Sequence, residues 1–190
     1  MLEDARRINL HLVFFGHFQP AVQDILKEAL NDFFLNHGIQ FDFKITYFKE
    51  LIDSFNKKRY QFPSGPHFSY LHDVGKNDPG SLKLGIVSGD LYSDSNEFLN
   101  FIFGEANYME GSALISTKRL NPEFYGLEFK KKLYFKRILK ESIHELGHVF
   151  KLRHCDDCEC IMHFSNCIED TDIKKAVFCE KCEEKLKKNI

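Results

Sequence analysis

Residues 144–162 read HELGHVFKLRHCDDCECIM, and the first five decide what the rest is for. On a helix, residues four apart are separated by about 400°, so His144 and His148 project from one face a turn apart and can hold one ion. Glu145 lies beside that ion, not on it. Two neutral imidazoles leave a zinc ion its charge, the ion acidifies a bound water, and an adjacent carboxylate can take that water's proton. His154, six residues on, offers a third imidazole and leaves one coordination position open. With nine histidines and fifteen glutamates in the chain, HExxH arises by chance roughly 0.03 times, and with this third histidine on the order of 0.001 times. His144, His148 and His154 are therefore the expected metal ligands, and Glu145 the expected catalytic residue. His11, His17, His37, His67, His72 and His163 lack such company and read as ordinary side chains.

Upstream of the motif, Phe129, Leu133, Ile138, Ile143, Leu146 and Phe150 recur at helical spacing, which predicts one long helix over 127–151. Lys130, Lys131, Lys132, Lys136, Arg137 and Lys140 read as its solvated face. Further back, INLHLVFFG (8–16) is a buried strand ending at glycine. Pro20 and the helical spacing of Val22, Ile25, Leu26, Ala29, Leu30 and Phe33 predict a helix closed by Gly38. IQFDFKITY (39–47) alternates apolar and polar residues, as a strand with one buried face does. Strand, helix and strand in this order imply a parallel pair with a crossover. A second helix is expected over 50–61, and FPSGPHF should then break regular structure. Strands are expected at 82–88, 97–104 and 111–120, the last as a sheet edge because serine and threonine alternate along it.

The whole chain, 190 residues with 26 basic and 28 acidic side chains, suits a single domain with a core of ordinary size. A formal charge of −2 argues against a nucleic-acid binder that works by neutralising phosphate. MLEDARRINL has neither the charge order nor the apolar run of a signal peptide or membrane span. A cytoplasmic protein is expected. All six cysteines fall between Cys155 and Cys182, and in a reducing compartment such a cluster suits metal better than disulfides. Cys179 and Cys182 form CEKC, whose turn can bring both sulfurs to one tetrahedral ion. Spacing alone pairs them with Cys155 and Cys158; Cys155 with Cys160 competes, and Cys167 has no assigned role.

HELGHVFKLRHC, then CIM, then FCEKC resembles the archaemetzincin family of zinc metallopeptidases, and LNFIFGEA (99–106) and SALISTKRL (112–120) extend the likeness upstream. Met162 sits where metzincins have a methionine turn. The resemblance implies an α+β, compact, metzincin-like zincin fold. Its parts are a mixed twisted sheet with an antiparallel edge strand, a long active-site helix and a small C-terminal zinc-bound subdomain. It implies one metallopeptidase domain over 1–190, with sheet and active-site helix in 1–148 and third histidine, methionine turn and cysteine site in 149–190. Two Zn2+ ions per chain follow, a catalytic one on the histidines and a structural one on Cys155, Cys160, Cys179 and Cys182. One departure stands out. The family pattern has glycine at Lys151, where the helix must stop so that His154 can reach back. A residue other than glycine loses roughly 1–2 kcal/mol in the left-handed conformation that such a stop uses. Zinc–ligand sites contribute on the order of 10 kcal/mol, so His154 should still reach the metal.

The expected function is zinc-dependent hydrolysis of peptide bonds by a water that Glu145 activates, acting on a peptide or protein substrate as a monomer, with no nucleic acid or membrane partner. No tyrosine follows Tyr134, so none can assist from the methionine turn as in some metzincins. Substrate would bind most simply by extending the sheet at the 112–118 edge. Two rival readings use the same residues: a zinc-organised protein- or nucleic-acid-binding module with a vestigial catalytic site, and hydrolysis of a non-peptide amide.

Overall fold

Strand β1 (Arg6–Phe15) ends in LHLVFF, six consecutive buried residues. A run without a polar face belongs inside a sheet covered on both sides. In this computed structural model, which describes residues 5–76, 78–96 and 98–190, that is where it lies. α1 (Pro20–Leu35) opens on its proline and is followed by Gly38 at φ +79°. The turn returns the chain to β2 (Ile39–Phe48), which runs parallel to β1 with Leu10 opposite Phe43. There follow β3 (Phe62–Pro63), α2 (Ser64–Lys76), β4 (Leu82–Val87), β5 (Leu91–Tyr92), β6 (Gly104–Asn107) and β7 (Ser112–Ser116). The main sheet has the order β2-β1-β4-β7-β6, parallel except for β6, the antiparallel edge strand; β3 and β5 pair separately. α3 (Lys131–Val149), α4 (Ile168–Ile173) and α5 (Glu180–Asn189) complete the chain.

Alternation along β1 divides the core in two. Leu10, Leu12 and Phe14 pack with Leu26 and Leu30 of α1 and with Ile143 and Leu146 of α3. Val13 and Phe15 face the other way, onto Leu71 of α2 and Leu114 of β7. α3 is thus held on one face of the sheet, and it contacts both β6 and β7. That contact brings the HELGH turn beside the sheet edge.

Four sequence expectations need correction. The helix over 50–61 is absent: a short 3-10 turn (Ile52–Ser54) and an Asn56–Gln61 bridge replace it, while Leu51 and Phe55 pack onto the α2-side core. FPSGPHF does not interrupt structure, because Pro66 falls in the first turn of α2, where its missing N–H is not needed. The strand expected over 97–104, whose residue 97 lies outside the described residues, is irregular until β6 begins at Gly104. β7 is an interior strand, buried along its whole length between β4 and β6. Ser116 donates to the Gly89 carbonyl at 2.8 Å and Thr117, just past the strand, to that of Val87 at 3.2 Å, while the buried Ser112 Oγ has no partner among the described residues.

The lysine-rich side of α3 is also divided. Lys130, Lys131, Lys132 and Lys136 are exposed, but Arg137 and Lys140 are 3% and 1% exposed. The Arg137 guanidinium grips both Asp172 carboxylate oxygens, and Lys140 donates to the carbonyls of Thr171 and Asp172. Burial pushes the Lys140 ammonium down to about 8.

Candidate metal centre

α3 stops by a defined pair of hydrogen bonds. The Lys151 N–H donates to the His148 carbonyl at 2.8 Å, and the Leu152 N–H to that of Gly147 at 3.0 Å. This is the Schellman arrangement, which places a left-handed residue just past the helix and a hydrophobic one after it. Lys151 occupies the left-handed position with φ +63°, and Leu152 is 2% exposed. The expected turn forms at Lys151 with lysine in glycine's place.

The turn then orients the imidazoles. His148 Nδ1–H donates to the Leu152 carbonyl and His144 Nδ1–H to that of Ile161, each at 2.8 Å. Both rings therefore present a bare Nε2. His148 Nε2 lies 3.1 Å from His144 Nε2 and 3.2 Å from His154 Nε2. Burial pushes His144 well below the usual histidine range, lowers His148, and takes His154 down to about 4. Three neutral nitrogens converging with no acceptor or donor between them fit a borderline cation such as zinc. Phe164 packs its ring edge-on to His154, with centroids 4.8 Å apart.

Glu145 is 4% exposed and pressed against β6. A Cβ at Gly104 would come within 2.5 Å of its Cγ and Oε1, so only glycine leaves room for the carboxylate there. Burial, with Glu141 and Glu105 nearby, holds the Glu145 carboxyl well above the usual carboxylate range. A bound cation reverses that bias. Glu141 is itself paired: its Oε1 lies 2.9 Å from Lys174 Nζ, with side-chain exposures of 3% and 0%, and accepts from Thr171 Oγ1 at 3.1 Å. Glu105 accepts from Ser93 and Ser95 on Oε1, while its buried Oε2 has no partner among the described residues. Gly104 and Glu105 lie inside the LNFIFGEA stretch that carries the likeness, but it gives them no role, and nothing local marks the Glu141–Lys174 pair; only the fold brings them to Glu145.

Met162, fully buried, lies under the site: a Cβ at Gly147 would be 2.4 Å from its Sδ. Its carbonyl accepts from the Cys155 N–H at 2.9 Å, which ties the methionine segment to the second cluster. There the sulfurs of Cys155, Cys160, Cys179 and Cys182 all lie within 4.8 Å of one another. Cys155 Sγ is 3.7 Å from Cys179 Sγ, and the Cys179 N–H donates to Cys160 Sγ. Burial pushes the thiol of Cys160 up to about 11 and that of Cys182 up as well. Four converging thiols fit a tetrahedral ion, whose charge would deprotonate them. Cys158 is exposed and outside the cluster, as is Cys167, which stands at the N-cap of α4.

A cleft of about 990 Å³ opens over the histidines, lined also by Gly104, Glu105 and Ala106 of β6 and by Lys151 and Arg153 of the turn after α3. The edge available to an extended ligand is thus β6, not 112–118. Among the described residues, no helix is long and apolar enough to cross a membrane.

Peptidase family M54 matches residues 52–188. An archaemetzincin of Pyrococcus abyssi is 40% identical over 179 residues, covering 92% of each chain. The crystal structure of an archaemetzincin from Methanopyrus kandleri superposes with a TM-score of 0.81 at 31% identity, covering 96% of this chain and 95% of that one. A zinc-dependent peptidase from Methanocorpusculum labreanum gives a TM-score of 0.78 at 25% identity, covering 93% of this chain and 99% of that one.

Proposed function

The chain belongs to the archaemetzincin family of zinc metallopeptidases, peptidase family M54, and from that premise we propose the following division of labour. His144, His148 and His154 hold a catalytic zinc, Glu145 moves the proton, and Cys155, Cys160, Cys179 and Cys182 hold a structural zinc. The observation that carries it is the convergence of three imidazole Nε2 atoms beside a carboxylate seated on the edge strand. When bound, zinc supplies a Lewis acid that acidifies a water and polarises the scissile carbonyl. The Ile161 and Leu152 carbonyls keep His144 and His148 in the tautomer that offers Nε2. The Glu145 carboxylate takes a proton from the attacking water and returns it to the leaving amine nitrogen. The free edge of β6 pairs main-chain groups with an extended peptide and sets the scissile bond beside Glu145.

The domain is a single unit over 1–190, with 149–190 adding the third histidine, the methionine turn and the cysteine cluster to the sheet and helix of 1–148. Both ligand sets are complete within one chain, which supports a monomer. Six free cysteines suit the reducing cytoplasm. A peptide-library cleavage assay on zinc-loaded protein tests the assignment. Glu145→Ala should keep two zinc ions per chain and lose turnover by roughly 10²–10⁴-fold; cleavage at the native rate in that variant would remove Glu145 from the mechanism.

A further inference from the structure

The residue that ends α3 is a lysine in a conformation that favours glycine, and that residue lines the cleft. Non-glycine residues persist at positive φ when something else retains them, and such outliers cluster at functional sites. The Schellman turn does not need the lysine side chain, since both of its hydrogen bonds are made by backbone groups. The side chain's surroundings suggest what retains it. Leu152 turns into the core, so Lys151 and Arg153 on either side of it are exposed, and both line the cleft. None of the ion pairs among the described residues includes either one. Of the described carboxylates lining the same cleft, Glu141 is paired with Lys174, Glu105 accepts from two serine hydroxyls on Oε1, and Glu145 is buried against Gly104; none forms an ion pair with Lys151 or Arg153. Among the described residues, then, two cations without an ion pair, two residues apart, flank the segment leading to His154.

We propose that Lys151 and Arg153 form an anion subsite that selects peptides carrying a carboxylate near the bond to be cut. The inference rests on the cleft being the peptide site, as proposed above. It fixes a substrate class, peptides with an acidic side chain or a free C-terminal carboxylate close to the scissile bond. Both sources present the same group, and a cationic pair in a partly desolvated cleft discriminates it from an isosteric amide.

The test measures binding, not turnover, so that it does not depend on the assignment of Glu145. Three fluorescent hexapeptide pools are titrated onto zinc-loaded Glu145→Ala protein: one with Asp or Glu at internal positions and an amidated C-terminus, its Asn/Gln counterpart, and the counterpart with a free C-terminus. At least one carboxylate pool should bind about fivefold more tightly than the neutral amidated pool, and salt should weaken that preference. Adding Lys151→Gly or Arg153→Gln should each cut the ratio of affinities by about threefold, while Lys151→Arg preserves it. Because the readout is a ratio within one protein at full zinc occupancy, a general change in folding cancels, and Arg153→Gln carries the test if Lys151→Gly misfolds. No carboxylate preference in the Glu145→Ala protein would overturn the proposal. So would a preference that survives both neutralising substitutions, since it would then belong to the metal. If carboxylate pools bind as expected but the native protein cleaves none of them, the catalytic reading fails and the subsite stands.

Discussion

At Lys151 the backbone adopts φ +63° and completes both hydrogen bonds of the helix stop. Glycine would adopt that conformation without Cβ strain. Lys151→Gly should therefore stabilise the zinc-free protein by about 1 kcal/mol, raising its melting temperature by roughly 2–4 °C. A lower melting temperature in the zinc-free pair would mean that the lysine side chain supports the turn in a way its backbone geometry does not reveal. Gly104 makes the converse case. It is not at positive φ, and its importance is a matter of space: a Cβ would meet Glu145 Oε1 at 2.5 Å. Gly104→Ala should displace the carboxylate, lowering kcat by at least about tenfold while the zinc content stays native. Full activity in that variant would show that the Glu145 seat on β6 is dispensable. The two residues differ in legibility for a physical reason. Lys151 stands inside a motif whose spacing demands a turn. Gly104 stands 41 residues from the carboxylate it accommodates (145 − 104), and only the fold brings them together.

At the scale of elements, α3 joins the sheet to the C-terminal segment, and the joint is ionic. Arg137, Lys140 and Glu141 reach the α4 region through Asp172, the carbonyls of Thr171 and Asp172, and Lys174. Lys174 and Glu141 are almost completely buried, so removing one partner strands a charge. Lys174→Met should cost about 3–5 kcal/mol, and adding Glu141→Met should recover most of that loss. Equal destabilisation in the single and double variants would remove the ion pair as the cause. Periodicity marks Ile138, Ile143 and Leu146 of α3 as buried, but it starts the helix too early, since Phe129 lies before Lys131 and is exposed, and it gives the whole basic row to solvent. Lysine and arginine with long stems look alike in sequence whether the head group meets water or a carbonyl. The β7 error has the same origin. Serine and threonine read as a wet edge, yet the Ser116 and Thr117 hydroxyls are satisfied by neighbouring carbonyls and Ser112 is buried outright. By contrast β1, α1 and β2 were legible almost to the residue, because an apolar run, a proline start and clean alternation each fix one element locally. The lost helix at 50–61 shows the limit of such patterns: its apolar spacing serves an irregular segment packed against α2.

At the scale of the molecule, the sheet and α1 supply a rigid base for α3. The methionine segment then links two ligand clusters through the Cys155–Met162 hydrogen bond. The two clusters differ in access. The histidines face an open cleft, whereas Cys160 and Cys182 are 1% and 4% exposed. This difference makes the division of roles between the two sites directly measurable, since an open site yields its ion to a chelator before a closed one does. Chelator is added in steps to the zinc-loaded protein, with bound zinc per chain read by native mass spectrometry and peptide cleavage and circular dichroism followed on the same samples. Cleavage should disappear with the first zinc while the fold persists, and the fold should weaken only with the second. Cleavage that outlasts the first zinc, or a fold that collapses together with it, would contradict two separate sites with divided roles.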